Sequence, residues 1–273
     1  MPQSGPSIER PPRNTSSASI GTALFGIDLR RKLKSRKTLI LFLIQLLPAM
    51  AAAVSLFWGT VDGLELFETT IERIYLTVLM PLAALFFGGP TIVDDVDDKT
   101  ITYLTLRPIS RTTLLAGKLA SSMVLAVAVT VIPVAIFFVT CILGSAAGIG
   151  ESLPLLGAAA GTIAVGAITY TAIFALLGVI FSSTLLPGIV YYIVFEVIFG
   201  SVPIIEFLSV KFHLSTLGGF DAEDGDIRET LEQFLLDQPL EFEWWVGLVI
   251  CAIITAAAVT AAALVFRNRQ FHV

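Results

Sequence analysis

Charge is scarce in this chain. Asp, Glu, Lys and Arg make up 14% of its 273 residues, against about 25% in soluble domains. A hydrophobic fraction of 55% and a mean hydropathy of +0.85 exclude an ordinary water-soluble domain. Cysteine is almost absent. Cys141 and Cys251 each stand alone in an apolar run, so they read as small core residues; a disulfide framework needs more cysteines in a short secreted chain. His213 and His272 are too isolated to ligate a metal together. No phosphate-binding loop is present: Gly117-Lys118 lacks the earlier glycine at the required spacing and no strand leads into it. HExxH, GxSxG and clustered Cys/His sets are missing too. These gaps argue against an enzyme with its own active site, a resident cofactor or a metal.

What is there is a series of long apolar runs. A helix crossing the ~30 Å hydrocarbon core needs about 20 apolar residues, and six segments qualify: about 38–58, 74–93, 118–143, 155–181, 186–207 and 244–266. The expected fold is an all-α membrane protein with six transmembrane helices. Residues 1–19, rich in Pro and Ser, read as a disordered tail. The first apolar run begins only near Thr38, after a long charged lead, so a cleaved leader is not expected. Residues 20–37 place Ile20, Ala23, Leu24 and Ile27 at helical spacing ahead of six basic residues. That pattern predicts an interfacial amphipathic helix on an anionic leaflet; the alternative is a basic leader that only sets topology.

Basic residues fix the expected orientation. With the N-terminus inside, all but Arg73, Lys211 and Arg228 of the 17 Lys and Arg are cytoplasmic, and nine acidic residues fall in the outer loop 208–243. Both termini are then cytoplasmic, 268–273 forming the second tail around a permease domain of 38–267. Gly59 to Arg73 and Ile227 to Leu236 have helical apolar spacing and read as short amphipathic helices over the outer mouth. Asp221, Glu223, Asp224 and Asp226 read as a solvated acidic loop more readily than as a calcium site. In the fourth span, Gly157 and Gly161 form a small-residue pair that suits close helix approach. Glu196 lies mid-span in YYIVFEVIFG, where a charge is expensive and turns to the bundle interior or to water. It is either a contact in a substrate or proton pathway or a partner in an interhelical hydrogen bond.

The segment 94–117 is the charge-dense polar stretch on the inner side. Asp98 or Thr100 is placed to cap a short helix through Ile101, Tyr103, Leu104 and Leu106, which Pro108 ends. Ser110 is placed to cap a second helix running into the third span. Tyr103, Leu104 and Leu106 form an apolar set with few neighbours, the mark of a protein interface; the alternative is that the segment folds back on the membrane surface.

With its acidic residues, Thr100, the run Arg107-Pro108-Ile109-Ser110-Arg111 and Gly117-Lys118 opening the next span, this segment resembles that of type-2 ABC exporter permeases. The likeness is strongest to the six-span permeases of multicopper-enzyme maturation type. Asp95 and Asp97 stand where the family carries acidic residues, and Glu196 resembles a carboxylate of the family's fifth span. Lys99 replaces the usual glycine and Thr102 the usual glutamate. The resemblance covers about residues 20–267. It implies that 94–117 is a coupling helix docking on a separate ABC ATPase subunit through Asp95, Asp97, Thr100, Tyr103, Leu104, Leu106, Arg107, Pro108, Ser110 and Arg111. It further implies a homodimer or heterodimer of permease subunits among the lipids of the cell membrane, with no nucleic-acid partner and hydrolysis left to the ATPase. Rival readings are a non-transporting membrane scaffold and a stand-alone proton-coupled carrier working through Glu196.

Overall fold

The computed structural model describes residues 17–58, 62–91, 111–145, 148–181, 184–202, 205–220 and 243–268; within them the chain is helical, with no strand. Helix α1 (Ser17–Leu33) turns through a short corner into α2 (Arg36–Gln45) and α3 (Leu47–Phe57). Ser35 caps α2, and the Thr38 hydroxyl donates to the Lys32 carbonyl at 2.6 Å, which fixes the corner. Pro48 opens α3 without an N–H to continue the ladder, so α2 and α3 make one apolar rod, Arg36–Leu56, with a break at Leu46.

The second rod is longer than the expected 74–93. Helix α4 (Gly63–Thr70), a π-helical stretch Ile71–Leu79 and α5 (Met80–Gly88) form one continuous helix. The outer helix expected at 59–73 is therefore mostly the first part of this span. Its apolar stripe explains why: Phe67, Ile71 and Tyr75 are fully buried. The Phe67 ring lies 5.3 Å, centroid to centroid, from both Phe137 and Phe138 in the third rod, α6 (Arg111–Ile142). Pro81 accounts for the wide turn. It has no N–H for the Thr77 carbonyl and its ring crowds that oxygen, and π-turns commonly relieve such a mismatch. Other elements then supply the missing donors, as an apolar surrounding demands. The Tyr192 hydroxyl donates to the Thr77 carbonyl. The Gln45 side-chain amide donates to the Leu79 carbonyl at 2.7 Å, and Tyr75 donates back to the Gln45 carbonyl at 2.8 Å.

Helix α7 (Ile149–Ile180) is the hub, packed against α5, α6 and the last helix, α10 (Trp244–Asn268). These rods bring the number of described helices long and apolar enough to cross a membrane to five. The fifth expected span, 186–207, is different. Helix α8 (Leu185–Tyr191) and its π-helical continuation Tyr192–Ile198 end after about 21 Å at 1.5 Å per residue, short of the ~30 Å core. The chain then passes through short 3₁₀ turns into α9 (Val210–Gly218), which lies within the expected outer loop 208–243 and packs against α7 and α10.

Membrane helices lack a hydrophobic drive toward one another, so close backbone approach and hydrogen bonds carry their association. The approach is made at Gly63, Gly88, Gly89, Gly166, Gly178 and Gly247, where a Cβ would collide with a neighbouring element. Gly157 and Gly161 are not among them, for a Cβ at either meets nothing within 4 Å. Thr184 donates to the Gly89 carbonyl at 3.1 Å, and Thr169 and Thr255 join α7 to α10 at 3.0 Å. A Cβ on Gly88 would sit 2.6 Å from the Thr171 carbonyl oxygen. Gly88→Ala is therefore expected to destabilise the bundle by about 1–3 kcal/mol, read as a lowered midpoint of thermal unfolding in detergent, whereas Gly157→Ala leaves that midpoint unchanged.

Candidate functional site

Of the three buried carboxylates among the described residues, Asp28, Glu196 and Glu206, the first two each organise a helix junction. The first is Asp28 on α1, 6% exposed. It follows from sequence spacing that Asp28 and Lys32 share one face of the helix, and the Lys32 ammonium lies 2.7 Å from the Asp28 carboxylate. Arg31, mostly exposed, adds a looser contact at 3.5 Å.

The same pair reaches across to α6. Ser121 donates to Asp28, and Lys32 donates to Ser122 at 2.7 Å and to Ser121 at 3.4 Å. Ser122 in turn lies 3.0 Å from the Thr91 hydroxyl at the end of the second rod. Thr91, Ser121, Ser122 and Lys118 are all buried. Burial pushes the Asp28 carboxyl up; the adjacent Lys32 charge and hydrogen bond, the Ser121 hydroxyl and Lys118 more than offset this, so it is held below its ordinary value of 3.8. A depressed carboxyl contributes stability that is fully present above its unfolded value and lost as pH falls through the folded one. Asp28 therefore stays ionised at neutral pH.

Glycines let the two helices meet. Gly117 would place a Cβ 3.1 Å from the Gly21 carbonyl, and Gly21 would place one 3.5 Å from Thr113. The pairings advance in one direction along both helices: Gly21 with Thr113 and Gly117, Leu24 and Phe25 with Gly117, Asp28 with Ser121, Lys32 with Ser122. Helix α1 thus runs beside the first turns of α6, roughly parallel to it. Of the apolar residues 20, 23, 24 and 27 read as the membrane-facing stripe, Ala23 and Ile27 are exposed and Leu24 is half-buried, while the face against the protein carries Gly21, Phe25, Asp28 and Lys32.

The second carboxylate is Glu196, 6% exposed in the π-helical stretch after α8. Ser209 donates its hydroxyl to Glu196 at 2.6 Å, and the backbone N–H groups of Val210 and Lys211 donate at 3.1 Å each. A carboxylate only accepts, so these donors fit its two oxygens; a negative charge at a helix N-terminus is favourable as well. Ser209 is also the N-cap of α9, and Gly219, at φ 65°, closes its C-terminus. His213 Nε2 bonds the Phe207 carbonyl at 2.8 Å. Beyond the C-terminal end of α9, a polar cleft of about 360 Å³ is lined by Glu65, Glu68, Glu72, Arg73 and Phe220.

Of the partner-binding residues read from sequence, Asp95, Asp97, Thr100, Tyr103, Leu104, Leu106, Arg107, Pro108 and Ser110 lie outside the described residues, and Arg111 is the first residue of α6. The acidic loop Asp221, Glu223, Asp224 and Asp226 lies outside them too. What is described is the frame of the 94–117 segment: Thr91 before it, and Lys118, Ser121 and Ser122 after it, with Ser122 bonded to Thr91 and both serines accepting from Lys32. A family model described as ABC-2 family transporter protein matches residues 30–201. The chain belongs to the ABC-2 transporter family. No individual curated protein matches it. Family membership with five membrane-length helices makes this a multi-pass membrane protein of permease type and implies an ABC ATPase as partner in general.

The family region of this ABC-2 transporter begins inside α1, contains Lys32, Thr91, Ser121, Ser122 and Glu196, and ends just before the turn to α9. Asp28, Ser209 and α9 itself were not legible as site elements. A lone acid four residues before a lysine, and a serine nine residues before a Gly-Gly pair, are the signals in the sequence that fit them. Glu196→Ala strips three donors of their acceptor and is expected to cost about 2–5 kcal/mol. It should lower the unfolding midpoint and speed hydrogen exchange at the Val210 and Lys211 amides, while Glu196→Gln, which keeps one acceptor oxygen, falls between.

Proposed function

We propose that this chain is the permease subunit of an ABC exporter in the cytoplasmic membrane, driven by a separate ATPase subunit that docks on segment 94–117. The observation that carries the reading is a family match running continuously across that segment, within which stands the run Arg107-Pro108-Ile109-Ser110-Arg111. The distribution of Lys and Arg supports placing this segment, α1 and both termini in the cytoplasm. In a six-span count the remaining transmembrane segment is the short apolar helix Leu185–Ile198 continued by the turns that follow it. Two copies, identical or not, would form the route, and the motif likeness favours the multicopper-enzyme maturation subtype.

In this reading Tyr103, Leu104 and Leu106 anchor the ATPase, and Asp95, Asp97, Arg107 and Arg111 set the register of docking more than its raw affinity. The chain itself hydrolyses nothing. Glu196 acts on the substrate pathway through α9, whose N-terminus it holds at the end of the short fifth helix.

Leu104→Asp combined with Arg107→Glu is expected to abolish co-purification of the ATPase, with the protein still inserted and of unchanged thermal stability. Undiminished co-purification would overturn the docking assignment. ATP-dependent conformational change and export in liposomes separate a permease from a passive scaffold, and transport persisting without any ATPase would favour a stand-alone carrier.

A further inference from the structure

The polar junction at α1 does more than a helix resting on a membrane requires. An amphipathic helix held by its apolar face needs no buried charge, and an exposed Asp–Lys pair at i,i+4 would satisfy itself in water. Here the pair is turned inward, with Asp28 buried and Lys32 largely so, and each makes a bond to a different serine of α6. Such a contact fixes register in a way that apolar packing does not. A second contact, Gly21 against Gly117, lies about two turns away along α1. Two separated attachments set the angle of a rod as well as its position.

The junction also joins three elements, not two. Ser122 is shared between Lys32 and Thr91, so the residues flanking 94–117 on both sides are bound to one another and to α1. Neither flank can shift relative to the other, or to α1, without breaking a buried hydrogen bond.

We propose that Asp28 and Lys32 are positioning residues of a clasp that fastens α1 to both flanks of segment 94–117, so that α1, the end of the second span and the base of the third move as one body. The fastening stands on the contacts alone; that an ATPase is what moves this body rests on the permease reading given above. Displacement of the segment would then be delivered to α1, and through the corner at Thr38 to the first span, without loss at a hinge.

A distance measurement tests this. Nitroxides at Ala23→Cys on α1 and Val139→Cys near the far end of α6 occupy exposed positions, while the native Cys141 and Cys251 are buried. Labelled chain is diluted with unlabelled chain in lipid nanodiscs, alone and in complex with the ATPase, before and after trapping with ATP and vanadate. The clasp predicts one narrow distance distribution that trapping leaves in place. Asp28→Leu with Lys32→Met removes the pair without stranding a buried charge, and Ser122→Ala removes only the shared hydroxyl; both should broaden the resting distribution and let it shift on trapping, with the ATPase still bound. Lys32→Arg should restore the narrow distribution. Variants that match the wild type in both states, or a wild-type distance that itself shifts on trapping, overturn the proposal. If no ATPase associates even with the wild-type chain, the permease reading fails, and the resting distributions still decide whether the clasp exists.

Discussion

A carboxylate buried in an apolar protein must be surrounded by donors, because stranding it costs several kcal/mol. Asp28 and Glu196 each meet that demand by recruiting donors from another element. For Asp28 the donors are Lys32 of its own helix and Ser121 of α6; for Glu196 they are Ser209 and the first two amides of α9. In both cases an element too short or too polar to hold itself in place is pinned to a span. Helix α9 has nine residues, too few to be stable alone. Its position between α7 and α10 depends on the anion at its N-terminus and on the Leu214 and Val210 side chains it buries.

The same demand for partners explains the second rod. Pro81 removes one backbone donor, and the helix widens over Ile71–Leu79. The carbonyls at Thr77 and Leu79 then accept from Tyr192 and Gln45, so the first rod, the second rod and the fifth apolar helix are joined through one irregularity. A proline that looks from sequence like a tolerated blemish is the reason these three elements meet. Interhelical hydrogen bonds of this kind contribute only about 0.6 kcal/mol each on average. Their value here is positional, since they fix which carbonyl faces which helix.

Runs of apolar residues made the helical membrane architecture plain in the sequence, and the rods at 36–56, 112–142, 149–180 and 244–268 fall close to the expected spans. The differences arise where local pattern and tertiary partner disagree. Phe67, Ile71 and Tyr75 have amphipathic spacing, which fits a helix lying on the surface as well as one packed on α6; only the facing Phe137 and Phe138 decide. The stretch 186–207 has the composition of a span, yet Glu196 draws the following residues back toward itself and the helix ends early. A Cβ at Gly157 or Gly161 meets no other described part of this chain within 4 Å, and the close approaches within it fall at glycines whose neighbours lie far off in sequence. Periodicity shows that a face exists and is silent about what covers it.

The two junctions are also connected through the second rod. From Thr91, whose hydroxyl donates to the Phe87 carbonyl, the route runs back along α5 and the π-turn to Thr77, and from there through the Tyr192 hydroxyl to the stretch that carries Glu196. Every link in that route is either a helix backbone or a hydrogen bond to a side chain. The π-turn is the irregular part of that route, and there Tyr192 and Gln45 donate to the Thr77 and Leu79 carbonyls. The two buried carboxylates thus sit at the two ends of one bonded route, and the irregular stretch Ile71–Leu79 is where that route leaves the second rod for the helix that carries Glu196.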